Sequence, residues 1–306
     1  MARIKPYRIK TISEFHRVLG LPKPEHPLVS VIRLDDVKPP QYEKTPPLIY
    51  DFYSISIKRS LTAKYQYGQQ KYDFDDGVMF FIAPGQVFGI QHASQESEKL
   101  SGWLLAVHPD FLWKTRLATS IRQYEFFEYD VNEALFLSPR EEETIERLLR
   151  VIQQEYQGNI DNFSQDVIVA QLELLLVYSQ RFYHRQFLTR KTSNYSVLNR
   201  LEALLEDYFN SQNESTKGLL SVQYVADQLH MSPNYLSSLL KSLTGQSTQQ
   251  HIHEKLIEKA KERLSTTELS VTEIAYGLGF EHPQSFSKLF KAKTKFSPYE
   301  FRNSFN

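Results

Sequence analysis

One segment of this chain nearly recurs within it. Leu220 to Thr248 reads LSVQYVADQLHMSPNYLSSLLKSLTGQST, and Leu269 to Pro298 reads LSVTEIAYGLGFEHPQSFSKLFKAKTKFSP. Ser221, Ala226 and Leu229 correspond to Ser270, Ala275 and Leu278 at an offset of 49 residues. Pro233, Leu236, Leu239, Leu240, Lys241 and Thr244 correspond to Pro283, Phe286, Leu289, Phe290, Lys291 and Thr294 at an offset of 50. The extra residue falls between two helical patterns, where a turn absorbs an insertion most easily. Each unit therefore reads as a capped short helix, a tight turn, and a second helix opened by proline. Alanine at the matching position of both first helices lets the pair cross closely. This is the grammar of a helix-turn-helix.

Helical period sorts the second helix of each unit into two faces. Leu236, Leu239, Leu240 and Leu243 point inward in the first, leaving Asn234, Ser237, Ser238 and Lys241 outward. In the second, Phe286, Leu289 and Phe290 point inward, leaving Gln284, Ser287, Lys288 and Lys291 outward. The outward sets hold amides, hydroxyls and ammonium groups and no carboxylate, side chains suited to base edges and phosphates. Four lysines and no acid lie between His282 and Phe296.

The separator Gln249 to Leu264, QQHIHEKLIEKAKERL, is a strong helix former with Glu/Lys pairs at helical spacing. As a helix it is a rod of about 24 Å. Such a rod could hold two reading helices roughly one DNA turn, about 34 Å, apart on one face of a duplex. The tandem arrangement thus predicts one chain reading two successive major grooves.

The rest of the chain has a different character. Its 306 residues suit two domains. Thr11 to Leu19 reads as a short capped helix, and prolines punctuate Pro22 to Pro47. From about Leu48 to Val107, aromatic and β-branched runs (IYDFYSISIK, KYQYG, VMFFIAPG, VFGIQHA, GWLLAVH) alternate with turn residues, as in a sandwich or barrel. After Ser138-Pro139 the pattern turns helical, with Ile145, Leu148, Leu149, Ile152 and Tyr156 on one stripe. A second helix near Ser164 to Arg185 is apolar around most of its girth, so it is either central to its domain or part of a subunit interface. Leu188 to Ser196, LTRKTSNYS, is the best linker candidate. The expected boundaries are therefore 1–190 and 191–306.

Cysteine is absent, which excludes disulfides and thiolate chemistry and suits a reducing compartment. No stretch has the length of a membrane span or the character of a secretory signal, so the expectation is a cytoplasmic protein without a membrane partner. The net charge of zero argues against a wholly basic coat and leaves room for one local contact surface.

With these motifs in place, Val197 to Phe305 resembles the AraC/XylS family of bacterial transcription regulators. The resemblance rests on SPNYLSSLLKSLTGQS, IEKAKERL, SVTEIAYGLGF, SFSKLFKAKT and SPYEFR. It implies an all-α domain with two helix-turn-helix units that binds double-stranded promoter DNA and contacts RNA polymerase. It also implies DNA contacts at Asn234, Ser237, Ser238, Gln284, Ser287 and Lys288. Two positions depart from the family pattern: Leu256 stands where an arginine is usual, and Lys295 where a glycine is expected after the second reading helix. The latter predicts strain or an altered cap. More weakly, YDFDDGVMFFIAPGQVFGI and GWLLAVHPDFL resemble the cupin-like β-barrel sensor of the same family, which implies a small-molecule effector site and dimerisation through the helices that follow.

Catalytic apparatus is not visible. The β region holds His92, with His108 just beyond, and no pair at metal-ligand spacing. His251 and His253 face different ways on a helix. No glycine-rich phosphate loop or nucleophile elbow is present. The sequence predicts no enzyme, metal or cofactor. If an effector binds in the barrel, Tyr53, Phe88, His92 and Trp103 are the expected lining, against the plainer reading that the aromatics are core. The expectation is a homodimeric, effector-controlled regulator. Its rivals are a cupin enzyme fused to a DNA-binding module and a ligand-independent dimeric regulator.

Overall fold

The computed structural model describes residues 6–37, 47–59, 77–88, 101–130, 133–158, 161–189, 191–210 and 218–304. The chain divides into two compact units, Met1–Gln186 and Phe187–Asn306. The expected strand at Lys64 to Gly68 and the ring of His92 lie outside the described residues, and Phe88 is described in its backbone alone.

Unit 1 is built on two sheets. The larger has five strands in the order β2 (Val29–Arg33), β7 (Ser101–Val107), β4 (Tyr53–Arg59), β5 (Gly77–Ile82) and β8 (Leu135–Leu137), all antiparallel. The smaller has β1 (Tyr7–Ile9), β3 (Leu48–Tyr50) and β6 (Val87–Phe88), with β1 parallel to β3. The expected barrel is not closed among the described strands, and the edges of the large sheet show why. At one edge, Val31 N–H donates to the Tyr156 hydroxyl at 2.9 Å. At the other, Phe136 N–H donates to Gln186 Oε1 at 2.8 Å, and its carbonyl accepts from Arg185 at 2.7 Å. Backbone groups that a further strand would pair are satisfied by helical side chains instead.

Those side chains come from α3 (Pro139–Gln157) and α4 (Ser164–Thr189), which follow α1 (Ile12–Val18) and the short α2 (Leu117–Ser120). α3 begins where the sequence predicts, with Ser138 and Glu141 in a reciprocal capping box and Pro139 in the first turn. Its predicted stripe, Ile145, Leu148, Leu149, Ile152 and Tyr156, is buried. On α4, Ile168, Val169, Leu172, Leu175 and Leu176 are buried, whereas Val167, Leu174 and Val177 are 36, 42 and 52% exposed.

Strand parity divides the large sheet into two faces. Tyr53, Ile55, Met79, Phe81, Trp103 and Leu105 share the face that meets the helices. Here Tyr53 packs edge-on to Phe127 at 5.1 Å, and Phe81 lies 6.1 Å from Tyr183 of α4. Trp103 lies 4.7 Å from the Arg33 guanidinium and 5.4 Å from that of Arg150 on α3. The opposite face carries Ile32, Leu104 and Ala106 in one core with Ile9, Ile12, Phe15, Leu48 and Tyr50 of α1 and the small sheet and with Phe52, which lies between β3 and β4.

Unit 2 is helical. The expected linker, Leu188 to Ser196, is helical where described: α4 runs to Thr189, and α5 (Lys191–Asn210) starts two residues later. The polarity that suggested a coil is used within the unit. Asn194 is buried, and its amide donates to the Phe187 carbonyl at 2.5 Å. The helices α6 (Val222–Leu229), α7 (Pro233–Thr244), α8 (Thr248–Thr266), α9 (Val271–Gly277), α10 (Pro283–Thr294) and α11 (Pro298–Asn303) follow. α8 buries Ile252, Leu256, Ile257, Ala260 and Leu264 along one stripe.

Glu206 of α5 braces α8 from outside. Its carboxylate reaches Lys255 at 2.5 Å and Lys259 at 3.2 Å. Hydrogen bonds from Lys255, Asn210 and Lys259 lower its pKa to about 2. A carboxylate with a depressed folded-state pKa stabilises fully above its unfolded value, near 4.5, and loses that contribution as pH falls toward 2. The denaturation-midpoint gap between the wild type and Glu206→Gln should therefore be constant from pH 6 to 8 and narrow progressively below about pH 4.5. Urea titrations at matched salt check this, and a gap that widens on acidification contradicts the assignment.

Candidate nucleic-acid interface

Both repeats fold by the same local rules. Ser221 caps α6 by accepting from Tyr224 N–H, and Ser270 caps α9 in a capping box with Glu273. Past the turn, Met231 N–H donates to the Ala226 carbonyl at 3.0 Å, and Phe280 N–H donates to that of Ala275 at 3.0 Å. Ala226 and Ala275 are fully buried, as close helix crossing requires. Pro233 and Pro283 occupy the first turns of α7 and α10. Three residues separate Leu229 from Pro233 and four separate Leu278 from Pro283, so the insertion lies in the turn.

The two turns solve their backbone problem differently. His230 takes the left-handed conformation in the first, φ 58°. In the second Gly279 does, φ 86°, and a Cβ there would lie 2.3 Å from the Gly218 carbonyl oxygen. Position 279 is therefore glycine for conformation and for close backbone approach together.

The reading helices keep their apolar faces inside. Leu236, Leu239 and Leu240 are buried on α7, and Phe286 and Phe290 on α10. Leu243 and Leu289, expected inside, are only half-buried. Phe286 packs 5.5 Å from Phe280 and 5.7 Å from Phe290, which meets Phe301 of α11 edge-on at 5.4 Å.

The outward sets differ between the units. On α10, Gln284, Lys288 and Lys291 are exposed and Ser287 is half-buried. On α7, Lys241 is exposed, but Asn234, Ser237 and Ser238 are half-buried. Ser237 donates its hydroxyl to Thr248 Oγ1 at 3.2 Å, and Thr248 is fully buried at the start of α8. Ser237 thus ties α7 to α8 inside the unit, a role its outward phase did not suggest. Lys295 adopts the left-handed cap, φ 71°, with its N–H donating to Lys291 O at 2.9 Å. The expected strain is present and the cap geometry is kept. Leu256, in the place of the family's arginine, is fully buried. His251 bonds Thr244 at 2.9 Å and His253 bonds Gln249 at 2.7 Å, so each imidazole has its own partner.

In unit 1 the expected effector lining does not assemble where described. Tyr53 and Trp103 stand on the helix-packed face, turned away from the space between the sheets, while Phe88 lies on the small sheet. The sequence reading missed Ser54, Ser56 and Lys58, which β4 turns toward that space. Their only signal, polar residues at alternate positions, is also that of a solvent-facing strand.

Residues 225–304 match the family described as "Helix-turn-helix domain". The HTH-type transcriptional activator RhaS of Escherichia coli O81 (strain ED1a) is 27% identical over 258 residues, 83% of this chain and 86% of that protein. The C-terminal domain of the two-component response regulator yesN from Fusobacterium nucleatum is 30% identical, covering 35% of this chain and 98% of that one, with a TM-score of 0.31. The DNA-binding domain of AdpA, solved with a target DNA, is 25% identical, covering 35% of this chain and 91% of that one, with a TM-score of 0.31. These likenesses support a transcription regulator of the AraC/XylS type, with the helix-turn-helix match falling on residues 225–304. Among the described residues, no helix is long and apolar enough to cross a membrane.

Lys295→Gly should relieve the left-handed strain and stabilise the protein by about 1 kcal/mol, read as a higher denaturant midpoint with an unchanged slope. Gly279→Ala should destabilise it by more than about 2 kcal/mol, because the strained conformation and the clash act together. Equilibrium denaturation of both variants tests the two cap assignments.

Proposed function

We propose that this chain is a sequence-specific DNA-binding transcription regulator in which residues 191–306 read double-stranded promoter DNA and residues 1–190 form a cupin-like sensing and dimerisation domain. α7 and α10 enter successive major grooves, with α8, about 28 Å long, as the spacer between them. Gln284, Ser287 and Lys288 read bases and the neighbouring phosphates from the second unit, with Lys291 on the backbone. Asn234, Ser237, Ser238 and Lys241 form the smaller contact set of the first. The protein acts in the cytoplasm, without catalysis or cofactor, by presenting itself to RNA polymerase at the promoter.

The observation that carries this reading is the pair of turns pinned by identical backbone bonds, each backing a helix whose polar face lacks acids. Selection of genomic fragments by the purified chain, at near-physiological salt, should return a motif with two half-sites about ten base pairs apart. Gln284→Ala with Lys288→Ala should weaken binding by roughly 10- to 100-fold, and Lys288→Ala alone should lower the slope of log K against log salt by about 1. Equal, nonspecific binding by both proteins would contradict the reading.

Dimerisation is supported by α4. Val167, Leu174 and Val177 are exposed apolar residues at heptad positions, on the side opposite the buried stripe. Leu174→Glu with Val177→Glu should convert a dimer to a monomer in sedimentation at micromolar concentration. A double variant that sediments as the wild type does would remove α4 from the interface.

A further inference from the structure

The inner face of the large sheet in unit 1 contains polar groups that have no partner among the described residues. Register places Ser30, Ala106, Ser54 and Ile82 in one row across β2, β7, β4 and β5. Ile32, Leu104, Ser56 and Phe80 form the next row, and Gly102, Lys58 and Val78 the one after. Residues paired across an antiparallel ladder share a face. Ile32, Leu104 and Ala106 belong to the core facing Tyr50 and Phe52, and Ile82 packs against it, so these rows look into the space between the sheets.

Ser30 shows what a buried serine does here when it has a partner: its hydroxyl bonds His16 Nε2 at 2.9 Å. Ser54 and Ser56 are 3% and 6% exposed, and among the described residues neither hydroxyl has a hydrogen-bond partner. Buried hydroxyls are nearly always satisfied, so two neighbours without partners call for an explanation. Lys58, two residues further along the same strand face, is partly buried. Its Nζ lies 5.0 Å from the centre of the Phe80 ring and has no carboxylate partner among the described residues. Burial holds its pKa below the ordinary lysine value, and no neighbouring charge opposes that shift. Gly102 beside Lys58 and Ala106 beside Ser54 add little side chain of their own to this part of the face.

We propose that this face binds a small hydroxylated monocarboxylate, with its carboxylate on Lys58 Nζ and its hydroxyl groups on Ser54 and Ser56. One cation matches one negative charge, and two hydroxyls that both donate and accept match a polyol or hydroxy-acid chain. The three side chains span about 13 Å of strand, which sets the length of the ligand. Phe80, Leu104 and Ile82 supply an apolar surround that strengthens a charge-assisted bond. The inference rests on the reading of unit 1 as a sensor and names the chemical class of its effector.

The test is thermal unfolding of the full chain with about 10 mM of sodium gluconate or glucuronate, against sodium chloride, glucose and glucose 6-phosphate. At least one carboxylate should raise the wild-type Tm by roughly 5 °C, with glucose and glucose 6-phosphate without effect. Lys58→Met should abolish the shift and Ser56→Ala should reduce it. Lys58→Gln, which keeps a polar chain of similar length, should behave as Lys58→Met does and provides the test should Lys58→Met misfold. A carboxylate shift that survives both Lys58 variants overturns the proposal. So does a wild type stabilised by glucose or glucose 6-phosphate alone, or by no carboxylate in the panel. DNA binding by the same preparations, measured in parallel, separates failure of this proposal from failure of the DNA-binding reading.

Discussion

The backbone bond across each turn, Met231 to Ala226 and Phe280 to Ala275, is the constraint from which the C-terminal architecture follows. It is the 6→1 cap bond that ends the first helix behind a left-handed residue, His230 or Gly279, and it fixes the direction in which the chain leaves, while the buried alanine lets the second helix cross closely. Once the crossing is fixed, the second helix has one face against the first helix and the unit's core. Its opposite face is left to solvent. The buried leucines and phenylalanines hold that rotation, because turning either helix by one residue would bury polar side chains without partners. The orientation of the reading face is thus set by packing rather than by the reading residues themselves, which leaves those residues free to vary in chemistry.

The two copies of this device have diverged in what they hold inside and outside. The second packs Phe280, Phe286, Phe290 and Phe301 in sequence and keeps Gln284, Lys288 and Lys291 exposed. The first uses leucines, half-buries Asn234 and Ser238, and commits the Ser237 hydroxyl to Thr248. A serine shared with a buried threonine is held in place, which favours a fixed contact over an adaptable one. The division of labour is therefore unequal: the second unit carries more exposed hydrogen-bonding and charged reach.

The C-terminal unit was legible in the sequence because its determinants are local. Caps, prolines and apolar spacing act within one helix or across one turn, and the repeat states them twice. The N-terminal unit was less legible because its determinants are distant. Tyr156 satisfies the edge at Val31, 125 residues away, and Gln186 satisfies Phe136 from 50 residues away. No short-range pattern tells a strand edge that a helix will cap it, so the closed barrel was a reasonable expectation that these edges do not meet. Parity failed for a similar reason. Tyr53 looks like a lining residue and Ser54 like a solvent-facing one until the partner of each face is known. The polar run at Leu188 to Ser196 misled because asparagine can serve a helix end from within, as Asn194 does.

Neutral overall charge is compatible with DNA binding because of how charges are distributed within unit 2. Lys255 and Lys259 on α8 are each paired twice, with Glu206 and with Glu258 or Glu262. Their charge is spent inside the scaffold and contributes little field beyond it. Among the described residues, Lys288, Lys291 and Lys293 of α10 have no ion-pair partner within 4 Å. At 0.1 M salt the screening length is about 10 Å, so a phosphate against α10 feels those lysines and is largely screened from acids on the far side of the chain. Net charge averages over distances that electrostatics in salt does not span. A few unpaired lysines on one helix, backed by a scaffold whose own charges cancel, give the local positive surface that phosphate contact requires.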